Sequence, residues 1–222
     1  MKKKRTNNRR ELLAQITLKT ALPKELSDIE LSDKPDLIKK SSGLGIEVVF
    51  ATDQKEEQLS SYYEKFLYGK TIREVPEKGL ANFRSHSYDV IVDKNTLAIC
   101  ACKMEYTPFD INVVYTAINK KMQKLNTGLY NYSDNISLYI QTFKYSIDLA
   151  AFSTAENILK YANSLKRKYN LSYKEVFYDC CFVLYRLNLE KSTITEIDLN
   201  DHYMNILEQF NAINGVKNHD QL

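Results

Sequence analysis

The sequence predicts an α/β fold, a mixed β-sheet with helices packed against it. Three observations lead there. Short runs rich in β-branched and aromatic residues alternate along the chain with longer stretches whose apolar residues recur at helical spacing. Hydrophobic residues make up 44% of 222, which suits a chain that folds around one core rather than one that stays disordered. No apolar run approaches the roughly 18–20 residues that a bilayer-spanning helix needs.

Residues 7–20 read as a helix, capped by Asn7 or Asn8, with Leu12, Leu13 and Ile16 on its apolar side and Pro23 beyond its end. Two strands, 35–40 and 46–52, follow as a hairpin around a turn that runs through Ser41 and Gly45. The second of them carries Ile46, Val48, Val49 and Phe50, the composition of a central strand. Residues 54–68 read as a helix with Leu59, Tyr62, Tyr63, Phe66 and Leu67 apolar and Gly69 as its stop. Pro76 and Gly79 mark 70–87 as a loop. Strands 88–92 and 97–102 form a second hairpin around Asp93-Lys94-Asn95-Thr96. Thr107-Pro108-Phe109-Asp110 predicts a helix start with Thr107 as cap and Pro108 as first residue. That helix runs to Leu125 and stops near Gly128. Then come a strand at 136–141, a helix at 151–168 with Ala155, Ile158, Leu159, Ala162 and Leu165 on one side, one apolar strand at 176–187, and a last helix at 199–213. The division expected is a basic arm over 1–10, a core over 11–145, and an α/β extension over 146–222 packed on the same domain.

Charge is unevenly spread. Lys2, Lys3, Lys4, Arg5, Arg9 and Arg10 put six positive charges into the first ten residues, leaving 25 basic against 28 acidic residues in the rest. Such an arm suits a phosphate backbone, or else is a solvated terminus. No apolar segment follows the charged start, so it does not read as a secretory signal, and a cytoplasmic protein is expected. Cys100, Cys102, Cys180 and Cys181 lack the C-x-x-C spacing of a zinc site, and His86, His202 and His219 do not complete one. They read as reduced, buried thiols. Among the sixteen tyrosines, Tyr62, Tyr63, Tyr68, Tyr130 and Tyr132 are either base-stacking groups or core-edge residues.

The sharpest chemical signal is a pair of acids. Asp36 and Glu47 stand in apolar, strand-like surroundings, and the hairpin folds them back toward each other. Two carboxylates sharing a site repel and require a proton or a cation between them. A few hard oxygen ligands suit Mg²⁺. Alternation puts Glu47 and Val49 on one face of the strand and Ile46 and Val48 on the other. In the helix ending at Leu125, Val114, Ala117, Ile118 and Met122 form the apolar stripe, and Lys121 falls inside it. A lysine so placed either snorkels outward or meets a carboxylate.

Pro35-Asp36 followed by Glu47-Val48-Val49 resembles the signature of the PD-(D/E)XK nuclease superfamily, the restriction-endonuclease-like fold. That signature has Pro-Asp at one strand, then an acid, one residue and a lysine on the next. Val49 stands where the lysine is expected. The wider order is similar too: a basic-flanked helix carrying Glu11, then Pro-Asp, then Gly45-Ile46-Glu47-Val48, then a helix with Lys121-Met122-Gln123-Lys124-Leu125-Asn126. The resemblance, to small bacterial members of the superfamily, spans roughly residues 8–145. It implies a restriction-endonuclease-like core with C-terminal strand and helix additions. It further implies a Mg²⁺- (or Mn²⁺-) dependent nuclease with Asp36 and Glu47 as metal ligands. Glu11 would be a further acid of the site, and Lys121 would replace the missing lysine from a neighbouring helix. The implied partner is nucleic acid, DNA in the first place. A homodimer stays open, and no membrane is involved. Two other readings stand beside it: a nuclease-fold protein without catalysis that serves as a binding or regulatory module, and a structural partner protein whose carboxylates form ordinary ion pairs.

Overall fold

The structure, a computed structural model, describes residues 9–51, 58–59, 61–86, 88–104, 110–127, 135–142 and 150–214. The chain forms two compact units, Met1–Ala51 with Asp110–Leu222, and Thr52–Phe109.

The first unit is α/β. Its elements in chain order are α1 (Arg9–Ala21), α2 (Pro23–Leu26), β1 (Glu30–Leu31), β2 (Leu37–Lys39) and β3 (Leu44–Phe50) before the second unit. A helix Ile111–Leu125, a strand Ile136–Gln141, a helix Ala150–Leu165, strands Glu175–Asp179, Val183–Asn188 and Thr193–Asp198, and a helix Asn200–Asn214 follow it. Counting the second unit's elements in between (α3, β4 and β5, below), these are α4, β6, α5, β7, β8, β9 and α6. Among the described residues seven strands make one mixed sheet in the order β1-β2-β3-β6-β7-β8-β9. β3, β6 and β7 run parallel, and the strands outside them pair antiparallel. The parallel centre is buried on both faces, which is why β6 is uniformly apolar apart from Ser137 and Gln141.

Helices cover both faces. Ala14 and Leu18 of α1 pack on Leu37, Ile46, Val48, Tyr139 and Phe177, and Leu12 and Ile16 meet Ile206 of α6. α4 and α5 lie on the other face, where Tyr115 and Tyr161 stack with ring centroids 4.2 Å apart. The strands β7–β9 of the C-terminal part thus complete the same sheet that carries β2 and β3.

Several elements differ from the sequence reading. The run 176–187 is two strands, because the chain reverses at Cys180-Cys181-Phe182, with Cys181 at φ 72°. No glycine or proline announces that turn. The Asp179 carboxylate stabilises it instead by accepting the Cys181 N–H at 2.7 Å. β9, unforeseen, is an edge strand polar at four of its six positions. α4 begins at Ile111 with Asp110, rather than Thr107, as cap; the Asp110 side chain accepts from the Asn112 N–H. Thr107, Pro108, Phe109 and Gly128 lie outside the described residues, as do Lys2 to Arg5, Tyr130 and Tyr132. Arg9 and Arg10, read as part of the arm, belong to α1, and the Arg10 guanidinium sits 4.9 Å from the Phe50 ring centroid.

In the second unit, β4 (Tyr88–Val92) and β5 (Ile99–Met104) form the expected hairpin, bulged at Ile91/Val92. The 70–87 segment is not all loop. A helix α3 (Glu77–Arg84) starts directly after Pro76. Gly79 does not break it, because its role is close packing: a Cβ there would run into the Tyr62 hydroxyl. The stretch 54–68 contains a π-helical turn over Tyr63–Leu67. Leu59, Leu67, Leu80, Phe83 and Ile99 form this unit's core, with Tyr62 and Tyr63 at its edge and Tyr68 exposed. Cys100 is an exposed thiol, not a buried one, because it points outward from a two-stranded hairpin; Cys180 and Cys181 are buried and form no disulfide. Among the described residues no helix is long and apolar enough to cross a membrane.

Candidate functional site

The β2–β3 register pairs Leu37 with Ile46, so one further step sets Asp36 opposite Glu47. Leu37, Ile46 and Val48 face the α1 side. Alternation therefore turns Asp36 and Glu47 to the opposite face, toward α4. There Lys121 meets both. Its ammonium donates to Glu47 Oε2 at 2.7 Å and lies 3.6 Å from Asp36 Oδ2. The Glu47 side chain is only 2% exposed and that of Lys121 18%; Asp36 is 17% exposed. The Val48 N–H also donates to Asp36 Oδ2, at 2.8 Å.

Each side chain is held from behind. Pro35 packs so closely over Gly45 that a Cβ there would lie 2.5 Å from Pro35 Cγ, so the glycine sets the position of the Pro-Asp step. α4 buries Val114, Ala117, Ile118, Met122 and Leu125, which brings the stem of Lys121 into the partly buried margin of the stripe. The segment after α5 fixes the helix. The Tyr173 hydroxyl donates to Lys121 O at 3.2 Å, the Tyr169 hydroxyl to Asn119 Oδ1 at 3.0 Å, and Asn126 exchanges side-chain hydrogen bonds with both backbone groups of Leu171. Sequence reasoning missed these supports. Asn126 carries a helix-end signal; Tyr173 carries none.

Two carboxylates and one ammonium meet here. Oxygens from both acids converge on one cationic centre, the donor chemistry that a hard divalent ion uses. Mg²⁺ typically takes one or two protein carboxylates and completes its shell with water and phosphate. Asp36 and Glu47 fit that role. Among the described residues no group of three or more His, Cys, Asp or Glu side chains could hold a metal ion. Glu11 lies on a different element from the pair. It is buried on α1, whose Ala14 and Leu18 pack against the other face of the sheet. Val49, half-buried in β3, brings no charge.

A further buried acid, Asp179, escaped the sequence reading of chemistry. Asp179, at the end of β7, is 1% exposed. It accepts hydrogen bonds from the Tyr139 hydroxyl and the Cys181 N–H. Burial pushes its pKa up to about 6 against the opposing pull of those donors. Burial, with Asp179 beside it, pushes the Cys181 thiol up to about 12, and the Tyr139 hydroxyl also rises, from burial and the Asp179 charge. An acid inside the apolar run 176–187 was the available signal.

Comparison with protein families, curated proteins and solved structures finds no match to this chain.

Proposed function

We propose that this protein is a Mg²⁺-dependent phosphodiesterase acting on nucleic acid, with a restriction-endonuclease-like site built from Asp36, Glu47 and Lys121. What supports the reading is one observation: the Pro-Asp acid, the acid of the next strand and a lysine from a neighbouring helix converge on one face of the sheet. Asp36 and Glu47 would hold the metal. When bound, such an ion would polarise a phosphoryl oxygen and orient a water for attack. Lys121 provides positive charge for the phosphate as negative charge develops on it. The Val48 N–H keeps Asp36 aimed inward, and α4 keeps the ammonium on the same side as the acids.

The test is cleavage of DNA and RNA with Mg²⁺ and Mn²⁺ by wild type, Asp36→Ala and Lys121→Met. The expectation is cleavage by wild type, none by Asp36→Ala, and at least a roughly tenfold slower rate for Lys121→Met, about 1.4 kcal/mol of transition-state stabilisation. Equal cleavage by all three refutes the site. One observation favours a second reading, a nuclease-fold protein without catalysis that binds or regulates: Val49 occupies the position where the resemblance expects the lysine. Nucleic-acid binding by wild type without cleavage of any substrate selects that reading.

A further inference from the structure

We infer that Lys121 is a built-in competitor for the metal position, so that cation loading and release of the lysine are one exchange. This rests on the metal reading above and adds a control to it. The ammonium nitrogen lies 2.7 Å from Glu47 Oε2 and 3.6 Å from Asp36 Oδ2. A divalent ion bound by those oxygens at about 2.0–2.6 Å would occupy the space Nζ now fills. The two cations repel, and the site is nearly closed to water on the Glu47 side, where screening is weakest. One of them leaves.

Lys121 can leave without unfolding anything. Its side chain is 18% exposed, and a rotation along its flexible stem carries the charge outward while the stem stays on the helix. Asp36 does not follow, because the Val48 N–H donates to the same Oδ2. The carboxylate pair thus stays arranged for a metal when the lysine swings away. The displaced ammonium remains within a side chain's length of the ion, where a phosphate would sit. Metal loading therefore arms the lysine, and in the metal-free protein the lysine lowers the affinity of the acids for divalent ions.

The experiment is calorimetric titration of Mn²⁺ and Mg²⁺ into wild type, Lys121→Met, Lys121→Gln and Asp36→Asn, each first checked for its fold by circular dichroism. In parallel, the Nζ resonance of Lys121 in NMR spectra of the wild type is followed through a Mg²⁺ titration. Both lysine variants are expected to bind one ion per chain at least tenfold more tightly than wild type, and Asp36→Asn to bind none. The Nζ resonance is expected to move to the position of a solvated lysine as Mg²⁺ saturates. Metal affinity equal to or below that of wild type in both lysine variants, or an Nζ resonance unmoved at saturation, overturns the competition and leaves the metal site standing. Absence of saturable binding in wild type and in both folded variants overturns the metal reading beneath it. If neither variant folds, the wild-type resonance decides alone.

Discussion

The ion pair between Lys121 and Glu47 makes a quantitative claim on stability. Glu47 is 2% exposed and Lys121 18%, so replacing Lys121 with Met takes the ammonium away from a buried carboxylate beside Asp36. Removing one partner of a buried pair costs about 3–5 kcal/mol. Residual water access at Lys121 places this case at the low end, about 3 kcal/mol. Glu47→Gln removes the charge but keeps an oxygen that can accept from Lys121, and Asp36 still faces the ammonium; a loss of about 1–2 kcal/mol follows. The double variant removes both charges of the pair, so its loss should fall short of the sum by about 2 kcal/mol. Urea unfolding of wild type, both single variants and the double variant at pH 7 and low salt measures all four corners. A coupling energy below about 0.5 kcal/mol, the usual error of additivity, would show that the pair does not form in solution.

Asp179 predicts a pH dependence of the opposite sense to acid denaturation. Its folded pKa, raised to about 6 from the ordinary value of 3.8, means that between those values the native state holds a proton the unfolded chain has released. Stability should therefore fall as pH rises from about 4 to about 6, by about 3 kcal/mol, and then stay level as far as this group is concerned. Urea midpoints across that range check the slope, and Tyr139→Phe, which removes a donor to the carboxylate, should shift its upper end to higher pH. Gly45→Ala should push Pro35 away and misplace Asp36, lowering metal affinity along with stability; calorimetry showing wild-type affinity would separate Gly45 from the site. Deleting residues 2–8 removes four positive charges and should flatten the salt dependence of nucleic-acid binding; an unchanged slope would limit the arm to solubility.

The β2–β3 hairpin and the inward-facing lysine were legible because both rest on strict periodicities. Alternation put Glu47 opposite in face to Ile46 and Val48, and the helical stripe put Lys121 among Ala117, Ile118 and Met122. The turn at Cys181 was not legible, because an aspartate hydrogen bond stabilises it where sequence patterns look for glycine. α3 was hidden by Pro76 and Gly79, a proline that begins a helix and a glycine chosen for contact with Tyr62. Glu11 was hard to place for a different reason. Its position on a polar-flanked helix said nothing about which face of the sheet that helix covers, and only the packing of Ala14 and Leu18 decides it.

The chain path between the acids and the lysine has a consequence for the order of assembly. Asp36 and Glu47 are joined by a hairpin of eleven steps, whereas Glu47 and Lys121 are 74 positions apart, with the whole Thr52–Phe109 unit between them. Closing the longer loop costs about 1.7 kcal/mol more in chain entropy than closing the shorter. On loop entropy alone the hairpin is the cheaper closure to make first, which would press the two negative charges together before their counter-ion arrives. Refolding should be sensitive to that interval: added salt, which screens the two acids, should speed the refolding limb, while unfolding, which begins with Lys121 already in place, should respond to salt in the opposite sense of stability, by loosening the pair.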